Sequence, residues 1–139
     1  MSQKLTGGCL CEAVRYVCEA PPKLTVHCYC GDCRKLGGTG HATHTVFDET
    51  AFSLSGEVTD YVKIADSGRS INRRFCPVCG SAIFHTRDGM EGLVVVRTSS
   101  LDEPEKVTPE KAIYVSRAVS WDPVDRDLAC FDEMVPSSR

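Results

Sequence analysis

Three cysteines lie within six residues of the segment VHCYCGDCRK (26–35) and form what we call the trio: Cys28, Cys30 and Cys33. Three is an odd number for disulfides and one fewer than the four ligands that close a structural zinc site. Catalytic zinc sites use three protein ligands and keep a fourth position exchangeable. Because three thiolates make a soft site, that position suits water or an incoming thiolate. The trio therefore predicts a catalytic zinc centre.

The alternative to an open centre is a second closed site in which a histidine supplies the fourth ligand. The candidates are His27, His41 and His44. His27 alternates with Cys28 along an extended strand, so its side chain points to the opposite face. His41 and His44 also lie on opposite faces if their segment is extended; one of them could carry a proton near the zinc, or both could be surface residues. We favour the open site.

The segment FCPVCGS places Cys76 and Cys79 in the Cys-Pro-x-Cys-Gly pattern of a zinc knuckle. Two thiolates straddle a tight turn in this pattern, proline presets φ, and Gly80 can take a positive φ as the chain turns away. The alternative is a redox Cys-x-x-Cys, which expects a helix after the first cysteine. The strand-like SAIFHT follows instead, so a zinc site is favoured.

A knuckle needs two further ligands, and GGCLC supplies Cys9 and Cys11. Residues i and i+2 of an extended strand point to the same side with Cα atoms roughly 6.6 Å apart, within reach of one zinc. The alternative is that both are small core residues. We predict a structural zinc on four cysteines: Cys9, Cys11, Cys76 and Cys79.

The composition describes an ordinary folded protein: 139 residues, 42% hydrophobic, 25% charged, with nine cysteines and a formal net charge of −3. The length predicts a single domain over 1–139, with a core of about 7–121 and a C-terminal tail over 122–139. We read no signal peptide and no apolar run that could span a membrane, so the cysteines are expected to be reduced and the location cytoplasmic. The most basic segment is RSINRR (69–74), which is too short to predict nucleic-acid binding.

Short alternating segments separated by Gly, Pro, Asp and Ser predict an all-β fold with few or no helices, at most one turn after Cys33. The candidate strands are AVRYVCEA, LTVHCYC, HATHTVF, VTDYVKIA, INRRFC, SAIFHT, GLVVVRTSSL and AIYVSRAV. Cys18 shares a face with Val14 and Tyr16 and is expected to be buried. Cys130 is expected to be a small buried hydrophobe in the same way, and Trp121 a core anchor.

Four segments carry a resemblance to a known family: GGCLCEAVRY, CYCGDCRKLGG, FCPVCGSAIF and SRAVSW. In order and spacing they resemble the glutathione-dependent formaldehyde-activating enzymes, also called the centromere-protein-V-like family. The resemblance runs from about Gly7 to Trp121. It implies a zinc-containing β-tent fold, a structural zinc on the outer two cysteine pairs, and a catalytic zinc on the trio. Because an open three-ligand site loses zinc more easily than a closed one, we expect the trio to be only partly occupied.

The activity that the resemblance implies is the joining of glutathione to formaldehyde, formally a carbon–sulfur lyase run in reverse. Two departures from the family pattern leave zinc binding untouched and leave the electrophile open. Ala112 stands where many members have histidine, and GTGHATH is more polar than the usual small apolar run.

Arg34 and Lys35 follow Cys33 directly and could attract an anionic substrate such as glutathione. They could equally be solvated charges on a loop. Two functions remain: an enzyme that binds a small thiol, glutathione first, at an open zinc, and a non-catalytic zinc module that binds a partner. The trio favours the enzyme, because a purely structural module has no need of it.

Overall fold

A computed structural model describes residues 4–65 and 67–135. Its strands are β1 (Leu5–Gly8), β2 (Arg15–Cys18), β3 (Leu24–Cys28), β4 (Ala42–Asp48), β5 (Phe52–Ser55), β6 (Thr59–Ile64), β7 (Ser70–Phe75), β8 (Ala82–Arg87), β9 (Leu93–Arg97), β10 (Lys111–Ile113) and β11 (Ala129–Cys130). The α-helix of these residues is α1 (Gly31–Gly37), and four 3₁₀ turns cover 49–51, 98–100, 104–106 and 115–117. The prediction of a mainly β fold is confirmed, but the single helical turn predicted after Cys33 is wrong, because α1 begins at Gly31, capped by Cys30, and has seven residues.

The strands form two sheets. A three-stranded antiparallel sheet has the order β1-β2-β5, and an eight-stranded sheet has the order β11-β10-β3-β4-β9-β8-β7-β6. In the large sheet β10 pairs in parallel with β3 and β11, while the remaining pairs are antiparallel. The segment predicted as a tail thus contributes β11 to the edge of this sheet.

The main core lies between the two sheets. Val14, Tyr16 and Cys18 alternate along β2 and the turn before it, and all three are buried, as their spacing predicted. They belong to one cluster with three apolar residues on one face of the large sheet, Phe47, Val94 and Val96, and Phe84 of β8 packs against this cluster. Because side chains alternate along a strand, this packing fixes which residues of β4, β8 and β9 point to the other face.

That other face of the large sheet carries polar side chains. His44 pairs across the strands with Arg97, and His85 pairs with Arg73. Cys28 ends β3 on the same face, beside Ala42 of β4. Two-residue periodicity therefore brings the trio, two histidines and several arginines to one side of the sheet.

Two side-chain predictions are wrong. Trp121 is 68% exposed, because it falls in a turn after the last 3₁₀ turn and no sheet face directs it inward. Cys130 is only half-buried; it lies in the edge strand β11, and its thiol donates a hydrogen bond to the carbonyl of Leu128 at 3.3 Å. Within the described residues, no helix has the length and apolar character needed to cross a membrane.

Candidate metal centres

Four cysteines that are distant in sequence meet at one end of the core, and we call them the outer cluster: Cys9, Cys11, Cys76 and Cys79. One pair lies in the turn between β7 and β8, where Gly80 has φ +79°. The other pair follows β1 in a turn that is closed by a hydrogen bond from the Glu12 N–H to the Cys9 carbonyl and in which Glu12 takes φ +68°, whereas we expected these cysteines in an extended strand. The turn brings the two thiols as close as a strand would, so the predicted convergence holds.

The sulfur positions of the outer cluster match a tetrahedral zinc site. Zinc–sulfur bonds of about 2.3 Å give neighbouring sulfurs a separation of about 3.8 Å in a tetrahedron. Cys11 Sγ lies 3.6 Å from Cys9 Sγ and 3.7 Å from Cys76 Sγ. All four sulfurs lie within 4.8 Å of one another. The donor set and its spacing fit a closed zinc site.

Backbone donors surround the same sulfurs. Val14 N–H donates to Cys9 Sγ at 3.2 Å, and Val78 N–H donates to Cys76 Sγ at 3.3 Å. A hydrogen bond with the Ser81 hydroxyl lowers the pKa of Cys79 to about 5. Such donors stabilise the thiolate form that metal binding requires.

The trio lies where β3 runs into α1. Cys28 is the last residue of β3, Cys30 is the N-cap of α1, and Cys33 lies in the first turn of the helix. The Cys30 sulfur takes the role of a capping oxygen, because it accepts a hydrogen bond from the Cys33 N–H at 3.3 Å. The helix ends where Gly38 adopts φ +76°. The three sulfurs lie within 4.8 Å of one another, which fits three ligands of one metal ion.

The three trio thiols are coupled through hydrogen bonds. Hydrogen bonds from the Cys28 and Cys33 thiols lower the pKa of Cys30. The hydrogen bond between Cys28 and Cys30 raises the pKa of Cys28. These hydrogen bonds favour Cys30 as the first thiol of the trio to ionise, which offers a soft anionic donor to a metal ion.

The trio lines a cavity of about 220 Å³, which we call the trio cavity. A second cavity of about 420 Å³ adjoins it, and the two share four wall residues: His44, Arg73, His85 and Val95. Pockets for small molecules typically have volumes of 300–1,000 Å³. The trio cavity by itself suits a small reactant, and a larger ligand extends into the second cavity.

His44 is the histidine nearest to the trio. Its Nε2 lies 3.4 Å from Cys33 Sγ, and its side chain is buried, so it is not the surface residue that we considered. The group of donor atoms within 4.8 Å of one another contains the three sulfurs and not this nitrogen. His44 thus contacts the trio without completing a four-ligand set.

His27 and His41 lie on the opposite face of the sheet from the trio, as alternation predicted for His27 and for the His41/His44 pair. Their rings are 4.7 Å apart, and His41 Nδ1 lies 2.5 Å from a carboxylate oxygen of Asp122. Neither histidine can serve as the fourth ligand of a trio metal.

Arg34 and Lys35 lie on α1 directly after Cys33. Arg34 is half-buried, and its Nε has no hydrogen-bond partner among the described residues, whereas Lys35 is exposed. Neither side chain lines the trio cavity or the cavity beside it. Their predicted contact with an anionic substrate stays a prediction.

Sequence reasoning missed the cationic wall of these cavities. Arg73 and Arg87 line the trio cavity, and Arg97 lines its neighbour. The available signal was the alternation of side chains along INRRFC, along SAIFHT and the Arg87 that follows it, and along GLVVVR. This alternation assigns Arg73 and Arg74 to opposite faces of the sheet. The order of the strands was also needed, because only the assembled sheet places these residues across from Cys28.

Thiol labelling of the zinc-loaded protein is expected to separate the two singleton cysteines. Burial raises the pKa of Cys18 to about 12, so its thiolate fraction is about a thousandfold below that of an ordinary thiol. Cys130 is half-buried and is expected to be alkylated first. Peptide mass spectrometry after iodoacetamide treatment measures this order, and chelation should add the cluster cysteines while Cys18 stays protected. Equal labelling of Cys18 and Cys130 would contradict the packing of β2.

The chain is similar to known proteins in sequence and in fold. A family model described as "Glutathione-dependent formaldehyde-activating enzyme" matches residues 4–117, a span that contains the trio and the outer cluster. No match was found among curated proteins. The chain is also similar to a crystal structure of a Rhodobacter sphaeroides protein, with a TM-score of 0.59 and 20% identity over 91% of this chain and 98% of that one. At that identity the likeness shows the fold alone.

Proposed function

The chain belongs to the family of glutathione-dependent formaldehyde-activating enzymes, and from that membership we propose that it is a zinc-dependent carbon–sulfur lyase. Its substrate is the adduct of a small thiol, glutathione first, with an aldehyde or another electrophile, and the reaction runs in either direction. The observation that carries the proposal is the convergence of three cysteine sulfurs on the wall of a cavity. A purely structural metal site would not need a cavity beside its ligands.

In this proposal the two clusters bind zinc ions with different roles. The outer cluster holds a structural zinc, while Cys28, Cys30 and Cys33 hold the catalytic one. When bound by the trio, zinc supplies a fourth position at which a thiol loses its proton and is held as a nucleophile. The protein keeps the trio in place through the Cys33 N–H that donates to Cys30 and through the contact of His44 with Cys33.

The part of the thiol substrate beyond its sulfur atom must also contact the protein. Arg34 and Lys35 remain our candidates for the carboxylates of glutathione, because α1 places them directly after Cys33. A ligand whose sulfur is in the trio cavity would have to pass over α1 to reach them. We also propose a reducing compartment such as the cytoplasm, because seven of the nine cysteines converge in groups of four and three that suit metal ions.

Calorimetry with glutathione and S-methylglutathione tests the proposal. The methylated compound keeps every charge of glutathione but cannot ligate as a thiolate. We expect glutathione to bind at least tenfold more tightly to the zinc-loaded protein, and to bind more weakly as salt screens its charged contacts. Equal affinity would rule out a thiolate mechanism. Binding of neither compound would favour a non-catalytic zinc module that binds a partner.

A further inference from the structure

Three neighbouring strands place an arginine on the face of the large sheet that carries the trio. Arg73 of β7 pairs with His85, Arg87 of β8 pairs with Ile71, and Arg97 of β9 pairs with His44. Arg73 belongs to the basic segment 69–74 that the sequence analysis did not connect with any function. Its neighbour Arg74 forms a hydrogen bond with Thr86 and an ion pair with Asp60.

The three arginines have few acidic partners among the residues the structure describes. The only ion pair they form there joins Arg73 to Asp32 at 4.0 Å, and Lys63 approaches the same carboxylate more closely, at 2.7 Å. Arg73 Nη1 and Arg87 Nε are buried without a hydrogen-bond partner. Buried donors on a cation are costly when they are left unpaired. Asp32, the acidic residue that lines the trio cavity, already pairs with Lys63, so the wall keeps cationic donors that can bind a further anion.

Arg97 differs from the other two because it lines the neighbouring cavity and not the trio cavity. A further arginine, Arg117, lines the trio cavity but forms an ion pair with Glu133 at 3.9 Å. Arg73 and Arg87 are therefore the cations that remain for a ligand.

Arg73 and Arg87 line the same cavity as the three trio cysteines. Much of the remaining wall is apolar, with Val26, Ile71 and Ile113 among its residues. In the sheet β8 lies three strands from β3, about 14 Å at the usual strand spacing. Because the trio and both arginines nevertheless line one cavity of about 220 Å³, a short molecule can touch the trio at one end and a guanidinium at the other.

We propose that Arg73 and Arg87 form a carboxylate-binding subsite of the trio cavity, so that the molecule occupying this cavity carries a carboxylate. Arginine suits this role because its planar guanidinium binds a carboxylate through two parallel hydrogen bonds. The inference rests on the proposed function for the role of the trio and adds the substrate class. The carboxylate has two sources, the thiol itself or an electrophile such as an aldehyde acid.

Calorimetry with two thiols of similar length tests the subsite: 3-mercaptopropionate carries a carboxylate, and 2-mercaptoethanol does not. We expect the acid to bind the zinc-loaded protein about tenfold more tightly, since charge-assisted hydrogen bonds are the strong ones. Arg87→Gln and Arg73→Gln should each remove most of this preference. Arg126→Gln, which deletes an exposed arginine outside the cavity, should retain it. Arg87→Lys should restore part of it.

Glutathione and glyoxylate, each titrated into wild type and Arg87→Gln, distinguish the two sources. A tenfold loss for glutathione assigns the carboxylate to the thiol, and a loss for glyoxylate alone assigns it to the electrophile; either loss supports the subsite. Equal affinity of the wild-type protein for 3-mercaptopropionate and 2-mercaptoethanol, together with no loss of affinity for glutathione or glyoxylate in Arg87→Gln, overturns the subsite. Glyoxylate contains no thiol, so its dependence on Arg87 can persist even if the thiolate mechanism fails.

Discussion

Replacing Cys76 by serine is expected to unfold the protein or to lower its free energy of unfolding by several kcal/mol. Cys76 is completely buried, accepts a backbone hydrogen bond from Val78, and packs in the core between the sheets. In our proposal it also ties the β7–β8 turn to the N-terminal turn through the structural zinc. Structural zinc sites contribute about 10–16 kcal/mol of binding free energy that is available only to the folded chain. Serine removes a soft ligand and places a more polar side chain in the core.

Circular dichroism melts and zinc content measured on the same samples check this expectation. Cys130→Ser is the matched control, because it makes the same chemical change at a half-buried cysteine outside both clusters. That control should keep its zinc and melt within a few degrees of the wild type. A Cys76→Ser protein that melts like the control would show that the outer cluster does not stabilise the fold through a metal.

The two cysteine clusters could be predicted from the sequence because their spacings are local. Cys76 and Cys79 straddle one turn, and Cys28, Cys30 and Cys33 span the end of a strand and the first turn of a helix. Such geometry depends on a few backbone dihedrals and little on the rest of the fold. The same argument succeeded for Cys9 and Cys11, although the turn that joins them was not foreseen.

The strands were predicted where alternation was clear and missed where the strand is short. Alternation placed Val14, Tyr16 and Cys18 on one buried face, as observed. It gave no signal for β1, which ends in two glycines, or for the two-residue β11. The predicted strand AIYVSRAV shrinks to β10, because Tyr114 takes φ +56° and a 3₁₀ turn follows.

The cationic wall needed information that no single segment contains. Alternation along β7 and β8 places Arg73 and Arg87 on the face of the sheet opposite the core. An arginine on that face is usually exposed to solvent. The sheet order then places β9 and β4 between these strands and β3. This non-local pairing converts an ordinary exposed face into the wall of a cavity beside the trio.

Replacing Cys30 by serine is expected to remove about one zinc per chain and to weaken glutathione binding at least a hundredfold, while the fold stays intact. The serine oxygen can still accept the hydrogen bond from the Cys33 N–H, since serine is among the preferred N-cap residues. The change therefore keeps the start of α1 and deletes a soft ligand of the open site. Cys30→Ala, which also loses the cap, should cost about 1 kcal/mol more in stability.

Zinc content, glutathione calorimetry and thermal melts of Cys30→Ser separate its role from that of Cys76. The outer cluster shares no residue with the trio, so its zinc should remain and the melting temperature should fall by only a few degrees. Loss of both zinc ions together would mean that the two centres are coupled through the fold. If the variant loses one zinc and still binds glutathione as tightly as the wild type, the thiol does not bind at the trio. The substitution replaces only one sulfur of the trio by oxygen, so any loss of binding can be assigned to that site.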